Sequence, residues 1–207
     1  MFFFQKKIQS FSVSLSEHKI INMEKHTFED KLIILKKDIE KIVNKKDSTQ
    51  MAYFAGGCFW GVEYMMQKEA GVLDVVSGYM GGNVENPTYE QVCTGSTGHA
   101  EVVCIIFEPS KVSYETLAKL FFEIHNPEQI GGQGTDIGDQ YRSEIFYIDE
   151  NQKKIIEKLI ATLQQKGYNI ATKLSPASTF WKAENYHQNY YQNKGTLPYC
   201  HAYEKRF

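Results

Sequence analysis

The residues best suited to chemistry lie in the segment Gly56–Gly61, with the sequence GGCFWG. An apolar run ends at two glycines, which permit a tight turn with positive φ, and a helix is predicted to begin at Cys58. A thiol in the first turn of a helix meets unpaired N–H groups and the positive end of the helix dipole, which favour the thiolate. The pattern therefore indicates a cysteine nucleophile; a small buried side chain is the alternative interpretation.

Glu101 is the second unusual residue, because it begins an apolar strand. Period-two alternation places it on the same strand face as Val103 and Ile105, so we expect its carboxyl group to be partly desolvated. A carboxyl group that stays neutral near pH 7 can act as a general acid. The alternative is a solvated carboxylate at the end of the strand.

Aromatic and polar side chains complete the set of candidate site residues. Phe59 and Trp60 are adjacent, so both cannot face the core side of one helix, and we expect at least one to line a pocket above the thiol. Tyr89, Tyr141 and Asp136 are hydrogen-bonding groups on or next to predicted loops. Taken singly, each of these three also fits a structural role.

The elements that must position these residues alternate between strand and helix from residue 51 onwards. The predicted strands are 51–55, 72–79, 99–107, 141–148 and 170–174, and the predicted helices are 58–68, 114–122, a helix between Asp149 and Gly167, and 183–192. This order predicts an α+β fold, a two-layer α/β sandwich with a mixed sheet and a ferredoxin-like βαββαβ core.

The first fifty residues differ in composition from the rest of the chain. They contain no glycine, proline, cysteine or tryptophan, and apolar residues at helical spacing predict an amphipathic helix over Thr27–Lys45. We therefore interpret residues 1–50 as a partly helical N-terminal extension, with Met23 as an alternative start. Residues 51–207 form the predicted catalytic domain, whose tail after Gly195 is expected to be mobile.

Composition excludes several classes of function. A formal net charge of −2 provides no basic field for nucleic acid, and no apolar run reaches the roughly 18 residues that a membrane-spanning helix needs. Four cysteines without paired metal-ligand spacing favour a reducing, cytoplasmic setting over a disulfide scaffold. No two histidines stand at helical spacing beside a third ligand, so we expect neither a metal nor a cofactor.

Several motifs together carry a family resemblance over about residues 51–201. They are GCFWG at Gly57–Gly61, PTY at Pro87–Tyr89, TGHAEVV at Thr97–Val103, Asp136 followed by QYRS at Gln140–Ser143, and YHQ at Tyr186–Gln188. In this set and order the chain resembles the type A peptide-methionine sulfoxide reductases. Thr135 and Asp139 depart from the family pattern, in which we expect Asn and Thr.

The resemblance implies a thioredoxin-dependent oxidoreductase that reduces the S epimer of free and peptide-bound methionine sulfoxide. Cys58 would attack the sulfoxide sulfur, Glu101 would protonate its oxygen, and the hydroxyl groups of Tyr89 and Tyr141 would bind that oxygen. Asp136 would belong to the polar shell of the site.

The aromatic pair Phe59 and Trp60 would bind the substrate methyl group, as in the family. Cys200, in the glycine- and proline-containing tail, would form the recycling disulfide with Cys58, and Cys93 is the alternative partner. Oxidised proteins and peptides are the implied partners besides thioredoxin, and we expect a monomer.

Three other functions remain compatible with a reactive cysteine. A thiol peroxidase would use the same thiolate without an aromatic methyl pocket. A Cys–His hydrolase would form an acyl intermediate instead of a disulfide. A binding module for oxidised methionine would not need the thiol at all.

Overall fold

The computed structural model describes residues 49–199 and 201–207. The predicted helix at Thr27–Lys45 and the recycling candidate Cys200 lie outside the described residues. The strands are β1 Gln50–Gly56, β2 Val72–Met80, β3 Ala100–Phe107, β4 Gly132–Gln133, β5 Asp136–Ile137, β6 Ser143–Tyr147, β7 Lys173–Pro176 and β8 Trp181–Lys182. The α-helices are α1 Phe59–Met66, α2 Tyr89–Cys93, α3 Tyr114–Ile124, α4 Glu150–Gln165 and α5 Tyr190–Lys194, with 3₁₀ turns at Asp139–Tyr141 and Asn185–His187.

Six strands form one mixed sheet in the order β7-β6-β1-β3-β2-β8. The pairs β6–β1, β1–β3, β3–β2 and β2–β8 are antiparallel, and only β6–β7 is parallel. Helix α1 connects β1 to β2 while β3 lies between these two strands, and α3 precedes β6, which pairs with the other edge of β1. The predicted α+β class with a mixed sheet is confirmed.

The main hydrophobic core lies between one face of the sheet and three helices. Buried apolar residues of α1, α3 and α4 join those of β1, β3 and β6 in one cluster, in which Phe54, Phe121 and Ile145 are fully buried. A smaller cluster on the opposite face contains Phe146 and only strand and loop residues. The sheet thus presents one face to the helices, and the candidate site lies at the end of β1 where α1 begins.

Local signals explain the helix boundaries. Ser113 accepts a hydrogen bond from the Thr116 N–H group at the start of α3, and Asp149 accepts one of 2.8 Å from the Gln152 N–H group at the start of α4. The predicted capping pair of α4 is therefore confirmed. Helix α4 ends just before Gly167, whose φ of +97° favours glycine.

Three predicted elements differ from the structure in their bounds or type. Residue 141 begins no strand but closes a 3₁₀ turn, since the backbone turns at Gly138 before β6 starts at Ser143. The single helix predicted over 183–192 is instead a 3₁₀ turn at Asn185–His187 followed by α5, because Asn189 adopts a left-handed φ of +54° that interrupts a continuous helix. The strand predicted at 170–174 runs instead over Lys173–Pro176.

Helix α2 and the β4–β5 hairpin have no counterpart in the sequence prediction. Both are short, so neither shows a clear hydrophobic period.

Within residues 49–199 and 201–207, no helix combines the length and apolar character needed to cross a membrane.

Candidate active site

Cys58 is the N-cap residue of α1 and is half-buried. The preceding Gly57 has a φ of +94°, and a Cβ atom there would lie 2.6 Å from the Gln133 side chain. Glycine is therefore required both by the backbone conformation and by the close approach of the β4–β5 hairpin. This geometry leaves the thiol at the amino end of a helix, as the sequence predicted.

Glu101 lies directly at that helix end. It is the second residue of β3, only 2% exposed, and its Oε2 atom accepts a 3.0 Å hydrogen bond from the Phe59 N–H group. Because β3 pairs with β1, which leads into Cys58, the carboxyl group and the thiol are positioned by neighbouring strands. The predicted burial of Glu101 is confirmed.

Tyr89 and Tyr141 lie in the electrostatic neighbourhood of this carboxyl group. Burial raises the pKa of Tyr89, and a hydrogen bond with Cys93 and the charge of Glu101 raise it further. Burial likewise raises the pKa of Tyr141, with smaller contributions from Glu101, Cys93, Cys58 and Asp136. Both hydroxyl groups thus stay protonated well above neutral pH and can donate hydrogen bonds. We call Glu101, Tyr89 and Tyr141 the polar wall.

An aromatic wall stands beside the polar wall and consists of Phe59, Trp60, His187 and Tyr190. Phe59 is buried and its ring centroid lies 5.0 Å from that of His187. The indole of Trp60 donates a 3.0 Å hydrogen bond from Nε1 to His187 Nδ1 and stacks on Tyr190 at 3.6 Å between ring centroids, with 3° between the planes. One adjacent pair thus divides as expected, with Phe59 in the core and Trp60 half-buried beside the thiol.

Comparison with known proteins agrees with this geometry. The family model for peptide methionine sulfoxide reductase matches residues 50–207. The peptide methionine sulfoxide reductase MsrA of Nautilia profundicola is 51% identical over 149 residues, covering 72% of this chain and 86% of the relative. The chain belongs to the peptide methionine sulfoxide reductase family.

Solved structures of family relatives share the fold. The reduced form of Mxr1 from Saccharomyces cerevisiae has a TM-score of 0.71 and 32% identity, covering 79% of this chain and 98% of Mxr1. The same yeast protein in complex with Trx2 has a TM-score of 0.53 and 25% identity, over 78% of this chain and 93% of that one. The chain is thus similar to these relatives in fold as well as in sequence.

Asp136 and the two departures from the family pattern lie on the loop that faces the polar wall. Asp136 is half-buried in β5 and contributes to the pKa of Tyr141, so the structure brings it into the site. Thr135 is exposed, whereas Asp139 forms an ion pair with Arg142, with 2.9 Å between Oδ2 and Nη1. The Asp139 departure therefore adds an ion pair within the 3₁₀ turn that precedes β6.

Glu184 is a site residue that sequence reasoning missed. Its carboxylate accepts hydrogen bonds from the Tyr79 hydroxyl group and from the Tyr89 N–H group, both at 2.9 Å. Burial opposes the charge, but these hydrogen bonds more than offset it, so the pKa of Glu184 lies below its ordinary value. The available signal was its position three residues before the family motif residue His187. Glu184 ties the start of α2, and so Tyr89, to β2.

Sequence analysis also missed Tyr190, because the helix predicted over 183–192 gave no reason to place its ring on Trp60.

The part of the chain that the structure describes contains no group of three or more side chains that could hold a metal ion.

The remaining described cysteines differ from Cys58 in their surroundings. Cys104 is buried in β3, and burial raises its pKa to about 12. Cys93 is exposed on α2, but local desolvation raises its pKa despite a hydrogen bond from Tyr89. Neither environment favours a thiolate.

The described end of the tail packs next to the family motif GCFWG. His201 is buried and its Nε2 atom donates a 2.8 Å hydrogen bond to the carbonyl oxygen of Gly56. The Arg206 N–H group donates a 3.0 Å hydrogen bond to Glu123 on α3. His201, the residue after Cys200 in sequence, is thus held at Gly56, which lies two residues before Cys58.

Proposed function

We propose that this protein reduces methionine sulfoxide, free or in peptides, to methionine with Cys58 as the nucleophile. The observation that carries this proposal is the hydrogen bond that joins buried Glu101 to the first N–H group of α1, next to the thiol. Reduction of a sulfoxide needs a thiolate to attack sulfur and an acid to protonate the leaving oxygen. Family membership supplies the same reaction independently.

In the first step, the Cys58 thiolate attacks the sulfoxide sulfur and forms a sulfur–sulfur bond, while Glu101 donates a proton to the sulfoxide oxygen. The resulting hydroxyl group is then transferred to the Cys58 sulfur as the sulfur–sulfur bond and the sulfur–oxygen bond of the substrate both break, and methionine leaves. Cys58 loses two electrons and becomes a sulfenic acid, and the same two electrons reduce the sulfoxide to a thioether.

The polar wall stabilises the oxygen as it gains negative charge. Tyr89 and Tyr141 remain protonated because burial holds their pKa values high, so each can donate a hydrogen bond to that oxygen. Glu184 fixes Tyr89 by accepting a hydrogen bond from its N–H group. The charge of Asp136 helps to raise the pKa of Tyr141 and so to keep its hydroxyl group protonated.

The aromatic wall binds the methyl group of the substrate. The positively polarised methyl group of a sulfoxide favours the electron-rich faces of Trp60 and Phe59. The sulfoxide oxygen points to the polar wall and the methyl group points to the aromatic wall. The rest of the methionine can then leave the pocket in one direction only, so only one epimer at sulfur fits. We assign it as the S epimer, following the family resemblance.

Recycling proceeds through a disulfide between Cys58 and Cys200. The Cys200 thiol attacks the sulfenic sulfur, the sulfur–oxygen bond breaks and water leaves. Support comes from His201, which holds the neighbouring position of the chain at Gly56. A thioredoxin dithiol then reduces the disulfide, in keeping with the structure of the relative Mxr1 in complex with Trx2.

We further assign residues 51–207 as the catalytic domain, acting as a monomer in the cytoplasm, where thioredoxin keeps thiols reduced. The extent of the family match, from residue 50 to residue 207, supports the domain assignment. We also propose that the tail moves to expose the disulfide to thioredoxin.

A single-turnover experiment tests the reaction. Without reductant, each chain should reduce one sulfoxide of a racemic sulfoxide peptide to methionine, oxidise two of its own thiols and remove only the S epimer. Cys58→Ser should form no reduced peptide. Formation of reduced peptide by Cys58→Ser, or loss of the R epimer, would contradict the proposal.

The recycling step has its own test. Cys200→Ser should retain turnover with dithiothreitol and lose turnover with thioredoxin, whereas the matched variant Cys93→Ser should retain both. Undiminished thioredoxin-driven turnover in Cys200→Ser would refute the assignment and would favour Cys93 as the partner.

A further inference from the structure

Glu63 is a buried carboxyl group that the reaction above does not use. It lies on α1, five residues after Cys58, and is only 1% exposed. Its Oε1 atom accepts a 3.0 Å hydrogen bond from the Asn189 N–H group, and the Tyr190 N–H group also donates to the carboxylate. A carboxyl group from the helix of the nucleophile thus holds the start of α5.

Burial of this carboxyl group carries a cost that its hydrogen bonds only partly offset. Burial raises the pKa of Glu63 to about 7, although the N–H groups of Asn189 and Tyr190 act in the opposite direction. The nearby charge of Asp74 on β2 raises the pKa further. An expensive buried carboxyl group of this kind indicates a specific task.

The backbone that Glu63 holds has an unusual conformation. Asn189 is a non-glycine residue with a φ of +54°, which the surrounding structure must enforce. Gln67, one turn after Glu63 on α1, donates a 2.7 Å hydrogen bond from Nε2 to Asn189 Oδ1. Gln192 in turn donates to Gln67 Oε1 at 2.8 Å. The start of α5 is therefore fixed to α1 at two successive turns.

The next residue, Tyr190, carries the consequence to the aromatic wall. Its ring lies flat on Trp60, with 3.6 Å between ring centroids. Trp60 is also held from its edge by His187, so its orientation depends on both neighbours. A shift of the Tyr190 backbone would remove the stacked ring and free the indole to move.

We propose that Glu63 is a positioning residue, which holds Tyr190 on Trp60 through the N–H groups at the start of α5 and thereby sets the aromatic wall of the substrate pocket. This role rests on the proposed sulfoxide reduction. It predicts an effect of Glu63 on substrate binding and not on the reactivity of Cys58.

The test compares Glu63→Ala and Glu63→Gln in a Trp181→Phe background, in which Trp60 is the only tryptophan. With dithiothreitol as reductant, Glu63→Ala should raise KM for a sulfoxide peptide about tenfold and change kcat less than about twofold. Acrylamide quenching of Trp60 fluorescence should rise to the level of Tyr190→Ala. The rate at which iodoacetamide alkylates Cys58 should not change.

Glu63→Gln keeps a neutral acceptor and so measures the contribution of the charge. Its KM should exceed that of the parent about threefold at pH 8, where Glu63 is ionised, and equal it at pH 5.5, where Glu63 is protonated. The ratio of the two KM values at each pH cancels pH effects on the groups that the two proteins share. This comparison also serves if Glu63→Ala does not fold.

Asn189→Gly is the matched control, because it keeps the positive φ and the N–H donor while it removes the side chain. It should raise KM less than Glu63→Ala does, because it removes only the contact with Gln67 and keeps the N–H group that donates to Glu63. Unchanged KM and quenching in folded Glu63→Ala, or equal KM of Glu63→Gln and parent at pH 8, would overturn the role of Glu63. A parent protein without sulfoxide reductase activity would refute the proposed function alone, since the fluorescence comparison would still report the stack.

Discussion

The polar wall and the aromatic wall flank the same thiol but are built in different ways. The polar wall presents the buried carboxyl group of Glu101 beside the hydroxyl groups of Tyr89 and Tyr141, whose pKa values are raised by burial. The aromatic wall instead consists of rings fixed by stacking and by the hydrogen bond between Trp60 and His187. In the proposed reaction, one wall therefore serves proton transfer and charge stabilisation, and the other serves shape recognition.

Substitution of Glu101 tests the polar wall most severely. Glu101→Gln keeps the hydrogen bond from Phe59 but cannot donate the proton, so kcat for sulfoxide reduction should fall about 10²- to 10⁴-fold while KM changes little. Stopped-flow single turnover at pH 7 measures this. A normal chemical step in Glu101→Gln would show that another group supplies the proton.

Removal of the tyrosine hydroxyl groups should have a smaller effect on the same step. Tyr89→Phe or Tyr141→Phe should lower kcat about tenfold each, because the other donor still binds the oxygen, and the double variant should lose about 10²- to 10³-fold. Tyr147→Phe, on β6 outside the polar wall, is the control. If the double variant changed only KM, the two walls would not differ in the way described.

Truncation of Trp60 tests the aromatic wall. Trp60→Ala should raise KM for the sulfoxide about tenfold, equivalent to about 1.4 kcal/mol, with kcat within about threefold. Peroxide has no methyl group, so peroxide reduction by Cys58 should be unaffected. An unchanged KM for the sulfoxide in Trp60→Ala would favour the thiol peroxidase alternative, which needs no aromatic methyl pocket.

The last expected effect concerns the pH dependence of stability and leaves the chemical step unchanged. Glu63 behind the aromatic wall has a pKa raised from 4.5 to about 7, so the folded protein binds more protons than the unfolded chain between these values. Its contribution is fully present below about pH 4.5 and is lost as the pH rises through 7, by on the order of 3 kcal/mol. Glu63→Gln should flatten this slope in urea denaturation between pH 5 and 8. An unchanged slope would mean that Glu63 does not titrate there.

Sequence alone predicted the polar wall better than the aromatic wall, for a physical reason. Cys58 and Glu101 lie at the ends of strands that a βαββ order makes neighbours, so the pattern of elements brings them together. Tyr89 and Tyr141 were recognised through family motifs, although Tyr141 was wrongly placed in a strand.

The stack between Trp60 and Tyr190 joins residues 130 positions apart and depends on one backbone conformation at Asn189. No periodic pattern encodes a left-handed asparagine, and Glu63 appears in sequence as one polar residue in a short helix. Long-range tertiary contacts, rather than local propensity, decide this half of the site.

The central claim is that Cys58 accepts the oxygen of methionine sulfoxide. The most direct measurement uses Cys200→Ser, in which the sulfenic acid should persist, with dimedone trapping and mass spectrometry after one turnover of a sulfoxide peptide. We predict one reduced methionine peptide formed per chain and one dimedone adduct at Cys58. Formation of the reduced peptide with the adduct at Cys93, or with Cys58 still a free thiol, would contradict the account.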